Sequence, residues 1–235
     1  MKAKKIAAVM LAATMTLSLA ACGGSSSSDS KSADGASDSG KVYKIGICQQ
    51  LEHEALDQAT KGFEDACEEK FGKDNVTFDL QNGQGEQANC ATIANNFVAD
   101  NVDLIMANAT TTLQFSAAAT SDIPILGTSI TDYATALDIS DWTGATGMNI
   151  SGTSDLAPID KQEEMLTELV PDAKTVGILY CSAEPNSAYQ ANLFAEALKK
   201  DGITCKEYTA ADSNEIQSVV TSAVAECDAL YIPTD

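Results

Sequence analysis

The chain has 235 residues, of which 34 are acidic and 14 are Lys, with no Arg and a single His. A formal net charge of −20 argues against nucleic acid or an anionic membrane surface as partners. Without Arg there is no bidentate guanidinium clamp, so backbone N–H groups, hydroxyls, amides or Lys must hold any anionic ligand group.

The N-terminus carries Lys2, Lys4 and Lys5, then a mostly apolar stretch from Ile6 to Leu19, and ends in Leu19-Ala20-Ala21-Cys22-Gly23. The apolar stretch is shorter than the roughly 20 residues that span a bilayer. Its length and basic flank are those of a secretory signal. The small residues before Cys22 read as a lipobox, so residues 1–21 are expected to be a lipoprotein signal peptide and Cys22 the lipidated residue. Residues 22–40 hold Gly, Ser, Asp, Ala and Lys after the Cys, with no large apolar side chain. Such a segment cannot bury a core. It is expected to tether the body to the lipid, with an r.m.s. reach of roughly 20–25 Å.

From Lys41 onward, short apolar runs alternate with helical periodicity. Val42–Cys48 reads as a strand and Leu56–Cys67 as an amphipathic helix. Val76–Leu80 is a second strand, followed by a helix whose face is Cys90, Ile93, Ala94, Phe97 and Val98. Val102–Ala107 and Ile123–Leu126 are further strands, separated by an alanine-rich helix over Thr112–Thr120. Gly144–Ile150 reads as a connecting segment. The pattern then restarts: a helix face at Met165, Leu166, Leu169 and Val170, a strand at Thr175–Tyr180, a helix through Tyr189–Leu198, a strand at Ile203–Tyr208, a helix at Ile216–Val224 and a strand at Ala229–Ile232. Strands separated by helices predict an α/β fold with parallel sheets. The break predicts two Rossmann-like lobes, residues 41–150 and residues 151–235. The second lobe reaches only its third strand and reads as incomplete, truncated at the C-terminus. The six Cys after Cys22 show no C-x-x-C spacing and mostly fall in apolar patterns, which predicts buried free thiols.

In open parallel sheets ligands bind beyond the carboxyl ends of the strands. The residues found there are Glu52 and His53, Asn82, Thr110 and Thr111, Thr131 and Asp132, Ser154 and Asp155, Glu184, Asn186 and Ser187, and Asp235. All are candidate ligand-binding residues. Thr110–Thr112 and Asn186-Ser187 precede helices, where N–H groups and the helix dipole favour an anion. Asp132, Asp155, Glu184 or Asp235 could pair with an ammonium, so the set suits a zwitterion such as an α-amino acid. The competing reading is that these polar residues cap helices and brace turns. Tyr133 and Trp142 could stack on an aromatic ligand or serve packing. No phosphate-binding Gly motif and no Gly-x-Ser-x-Gly occurs. No catalytic residue, metal site or cofactor is expected.

Seven strings at strand ends carry a resemblance: Glu52-His53 with Ala55-Leu56-Asp57, Asn82-x-Gln84-Gly85, Ile123-Pro124-Ile125, Thr131-Asp132, Asn149-x-Ser151-Gly152-x-Ser154-Asp155, Glu184-x-Asn186-Ser187 and Pro233-Thr234-Asp235. The chain resembles the ABC-transporter substrate-binding family that includes tryptophan/tyrosine-binding lipoproteins. Tyr133 and Thr111 stand where that family commonly has Pro. The resemblance implies a type I periplasmic-binding-protein fold, a small-molecule ligand, most simply an aromatic amino acid, held in an interlobe cleft, and permease and ATPase partners of an ABC importer. The protein would sit at the outer face of the cell membrane through a lipid on Cys22. A ligand-sensing module for a membrane receptor, or a secreted enzyme, would be built from the same residues.

Overall fold

The computed structural model describes residues 40–234. The signal, lipidation and linker expectations for residues 1–39, Cys22 included, and the site expectation for Asp235 lie outside the described residues.

The first sheet comprises β1 (Tyr43–Gln49), β2 (Val76–Asn82), β3 (Leu104–Asn108), β4 (Ile125–Ile130) and β5 (Ile150–Ser154), all parallel, in the order β2-β1-β3-β4-β5. Its helices are α1 (Glu54–Phe71), α2 (Gln87–Ala99), α3 (Thr110–Ala119) and the single-turn α4 (Tyr133–Ala136). The second part begins with α5 (Ile159–Leu169). It continues with β6 (Thr175–Cys181), α6 (Pro185–Lys200), β7 (Thr204–Ala210), α7 (Ile216–Glu226) and β8 (Ala229–Tyr231). Its sheet is parallel, in the order β7-β6-β8.

Alternation along the strands explains the layering. On β3, Ile105 and Ala107 join a core with Phe97, Leu113 and Ile125, while Met106 joins one with Ile45, Ile47 and Val76 on the opposite face. Successive strand residues point to opposite faces, and here both faces are buried, as a helix-covered parallel sheet requires. Each fully buried Phe or Ile contributes roughly 1.5–3 kcal/mol by leaving water. Close approach of α2 depends on Gly46: a Cβ there would lie 2.6 Å from the Phe97 ring. The second core gathers Val176, Ile178, Phe194 and Leu198, with Tyr231 stacked on Phe194 at a centroid distance of 3.6 Å.

Two sequence expectations change. Ile150–Ser154 is a strand of the first sheet, paired with β4, so that sheet extends past the boundary drawn at residue 150. The pairing is clamped by the buried Tyr133 phenol, whose one proton is shared between the Gly127 carbonyl (3.0 Å) and the Thr153 carbonyl (3.3 Å). Tyr133 is therefore a packing residue rather than a stacking platform. Trp142, 42 % exposed, lies on the surface.

The six described Cys are free thiols. Cys48, Cys67 and Cys90 are buried, whereas Cys181, Cys205 and Cys227 are only half-buried. A hydrogen bond with Cys90, then burial, pushes the Cys48 thiol up. Among the described residues no helix is long and apolar enough to cross a membrane.

Candidate ligand cleft

The strand order reverses direction between β1 and β3 in the first sheet and between β6 and β8 in the second. Crossovers leave such a point in opposite directions, which opens a crevice at the carboxyl ends of the strands. A cavity of about 180 Å³ lies there. Residues following β1 (Gln50, Leu51, His53), β3 (Ala109, Thr110), β4 (Thr131), β5 (Asp155), β6 (Glu184, Asn186) and β8 (Thr234) line it, together with Ser129 at the end of β4. Both sheets thus contribute to one cleft.

One wall is rich in acceptors. The Gln50 amide donates to Glu184 Oε1 at 2.7 Å, joining the first strand–helix loop of one sheet to that of the other. Gln50 Oε1 and Asn186 Oδ1 are buried and accept no hydrogen bond. Partial desolvation in the cleft raises the Asp155 carboxyl above its ordinary range, and a hydrogen bond from Thr131 opposes that shift. The lining includes no Lys. The N-terminus of α3 opens into the same cavity, flanked by Gln50, whose N–H donates to the Asn108 carbonyl, and by the end of β4, where the Thr128 carbonyl accepts from the Ala109 N–H. Ala109, with φ 95, precedes it, and no side chain caps it. The first N–H groups of a helix lack intrahelical partners and carry positive potential. The cleft therefore offers both acceptors and backbone donors within one cavity. Leu51, Ala55 and Leu56 add apolar surface to the lining.

Of the residues singled out in the sequence, the cavity brings together His53, Thr110, Thr131, Asp155, Glu184 and Asn186. His53 also caps α1, its Nδ1 accepting from the Ala55 N–H at 3.2 Å. The others stand outside the lining. Glu52 is exposed, and Thr111 is buried in the first turn of α3. Asn82 Oδ1 accepts from the Gln84 N–H at 2.7 Å, and Asp132 Oδ1 caps α4 by accepting from the Thr135 N–H at 2.7 Å. Ser154 Oγ donates to the Thr131 carbonyl at 2.8 Å, bracing β5 against the loop that bears Thr131. Ser187 is fully buried beside Asn186. Gln50, Leu51 and Ser129 were not singled out. Gln50 follows β1 directly, and that position was the signal available for it. Ser129 falls in the polar segment after the apolar run that ends at Leu126, the same positional signal that marks Thr131, although β4 itself runs to Ile130.

The profile of the ABC transporter substrate binding protein family matches residues 44–235. A tyrosine-binding protein of Clostridioides difficile (strain R20291) is 38 % identical over 237 residues, a match covering 100 % of this chain and 68 % of the relative. A solved ABC domain in complex with L-Trp from Streptococcus pneumonia is 36 % identical, with a TM-score of 0.78, covering 83 % of this chain and 66 % of that one. A ligand-free, open substrate binding protein with adhesive properties from Clostridium difficile is 39 % identical at the same coverages, with a TM-score of 0.60. At near-equal identity the overlap is better with the liganded structure, in keeping with the Gln50–Glu184 bond that draws the two loops together. The chain spans about two thirds of the length of these relatives. Its architecture is the type I periplasmic-binding-protein fold, shared with far more distant binding proteins. This chain belongs to the ABC transporter substrate binding protein family.

Proposed function

We propose that this protein captures a free amino acid, with an aromatic side chain favoured, in the cleft between its two sheets and delivers it to the permease and ATPase of an ABC importer. The observation that carries this reading is that one cavity gathers buried acceptors and carboxylates together with an uncapped helix N-terminus. Glu184, Asp155, Gln50 Oε1 and Asn186 Oδ1 would receive the ammonium, and the uncapped N-terminus of α3 with Thr110 would receive the carboxylate. A helix N-terminus holds a carboxylate without Arg, which fits a chain that has none. The tyrosine-binding relative and the L-Trp complex support the aromatic class. Thr131 would steady Asp155, while Asn82, Asp132, Ser154 and Ser187 would shape the loops. Glu52 and Thr111 would act at the cleft rim and behind the α3 turn, and Asp235 would extend the wall begun by Thr234.

The same reading places the protein outside the cytoplasm. Residues 1–21 would serve as export signal, Cys22 as lipid attachment site, residues 22–40 as tether and the two α/β parts as lobes. Mass spectrometry of membrane-extracted protein should find a diacylated Cys22 at the N-terminus. A retained signal sequence would remove the anchor.

Isothermal titration of the full-length protein against the twenty amino acids tests the binding claim. Saturable micromolar or tighter binding of Tyr, Trp or Phe is expected. A folded protein that binds none of the twenty contradicts it.

A further inference from the structure

Behind the cleft lies a chain of hydrogen bonds in which every donor points the same way. Ser129 Oγ donates to Asn108 Oδ1 (2.9 Å). Asn108 Nδ2 donates to Thr60 Oγ1 (3.0 Å), and Thr60 Oγ1 donates to Gln49 Oε1 (2.7 Å). Gln49 Nε2 donates to Asp57 Oδ1 (2.6 Å). The direction is fixed at both amides. Asn108 Nδ2 also donates to the Leu56 carbonyl (2.9 Å), and Gln49 Nε2 to the Leu51 carbonyl (2.9 Å). A carbonyl can only accept, so neither amide can turn over. Asn108, Thr60 and Gln49 are almost wholly buried, at 0 %, 3 % and 4 % exposure, where such chains polarise one another. The chain ends on a carboxylate at the start of α1 and begins on a half-buried hydroxyl that lines the cavity.

We infer that Asp57, Gln49, Thr60 and Asn108 are positioning residues that fix Ser129 as a hydrogen-bond acceptor toward the ligand. With its proton committed to Asn108, the Ser129 hydroxyl presents only lone pairs to the cleft. Ser129 is also held at φ 57, a left-handed conformation uncommon for a residue other than Gly, Asn or Asp. Strain of this kind persists where surrounding contacts over-determine it, commonly at ligand clamps. Gln50 Oε1, 91 % of whose residue surface is buried, is a second acceptor in the same cavity with no donor of its own. Two oriented acceptors beside Glu184 and Asp155 select a ligand that brings N–H donors to this side, and reject one that lacks them by leaving them unpaired. The inference rests on the cleft being the ligand site, as proposed above, and adds which ligand group that site discriminates and how.

The test titrates full-length wild type, Ser129→Ala, Thr60→Val and the exposed-site variant Asp57→Asn with L-tryptophan, tryptamine and indole-3-propionate. Thermal midpoints confirm that each variant is folded. Ser129→Ala should lose roughly 10- to 100-fold affinity for the two amine-bearing probes while its affinity for indole-3-propionate stays within about twofold. Thr60→Val and Asp57→Asn should lose affinity with the same selectivity but by less, a pattern that general loosening of the fold would not produce. Equal weakening toward all three probes, or wild-type binding of indole-3-propionate as tight as that of L-tryptophan, overturns the inference while leaving a small-molecule cleft intact. Binding of tryptamine but not L-tryptophan overturns the amino-acid reading and sustains this one.

Hydrogen exchange decides the relay without any ligand. Both Asn108 side-chain amide protons should be protected in the free wild type, and in Thr60→Val the one bonded to Thr60 should lose that protection while the one bonded to the Leu56 carbonyl keeps it. Rapid exchange in the wild type overturns the relay even if no probe binds.

Discussion

Gln50 Nε2 donates to Glu184 Oε1 at 2.7 Å, a hydrogen bond between residues 134 apart in sequence that ties the loop after β1 to the loop after β6. The bond is charge-assisted, which makes it stronger than a neutral one. Gln50 Oε1 itself is buried and accepts no hydrogen bond.

Gln50→Leu removes both the tie and the free acceptor. It should weaken ligand binding by about tenfold or more, since a hydrogen bond to a charged group contributes roughly 1.5–3 kcal/mol. Small-angle scattering of the ligand-free variant should give a larger radius of gyration than wild type. Unchanged affinity and unchanged dimensions would mean the bond neither closes nor furnishes the cleft.

Ala109 sits at φ 95 and ψ 162, a region essentially reserved for Gly, just before α3. Ala109→Gly relieves about 1–3 kcal/mol of backbone strain and loses about 0.4–1 kcal/mol through the freer unfolded chain. The net expectation is a stability gain of about 1 kcal/mol, read as a higher thermal midpoint. Ligand affinity should be retained, because the substitution keeps the backbone N–H groups at the start of α3.

Gly46→Ala would drive a Cβ against the Phe97 ring, 2.6 Å away in the present packing. The sheet must part from α2 or the ring must leave its rotamer, at a cost of about 1–3 kcal/mol. Denaturant unfolding should report that loss with an unchanged m-value. A stability equal to wild type would show that α2 can withdraw freely.

The Tyr133 phenol is pushed up to about 12, first by burial and then by the nearby Asp155 charge. A folded-state pKa above the unfolded value of about 10 means the folded form binds the proton more tightly. This contribution is present below pH 10 and is lost as pH rises through about 12. Tyr180, also pushed up to about 12, by burial and Glu207, acts in the same direction. Stability should therefore fall across this window, and Tyr133→Phe should fall less steeply. A slope identical to wild type would remove Tyr133 from the alkaline transition.

Much of the layering was legible in the sequence. Apolar runs such as Ile45–Cys48 and Val176–Leu179 are buried on both faces, and that leaves a pattern no tertiary contact needs to complete. The strand ends followed, and six of the predicted polar residues do meet in one cavity. What escaped was set by distant partners. Asn108 finds Thr60 and Leu56, 48 and 52 residues away, and Ser129 lies 21 residues from Asn108. No local pattern distinguishes such an Asn from a turn residue. Ile150–Ser154 has a weak strand signal because only Ile150 is buried. Its place in the sheet comes from β4 and the Tyr133 phenol. Asn82 and Asp132 were chosen for chemistry that their turns and caps consume locally.

The most direct test of the central claim is a crystal structure of the full-length protein grown with L-tyrosine or L-tryptophan. The account predicts the ligand in the cavity between β1, β4 and β6, with its ammonium within hydrogen-bond distance of Glu184, Gln50 Oε1 or Ser129 Oγ and its carboxylate at the first turn of α3. A ligand seated elsewhere, or one with its carboxylate turned toward Glu184, would contradict it.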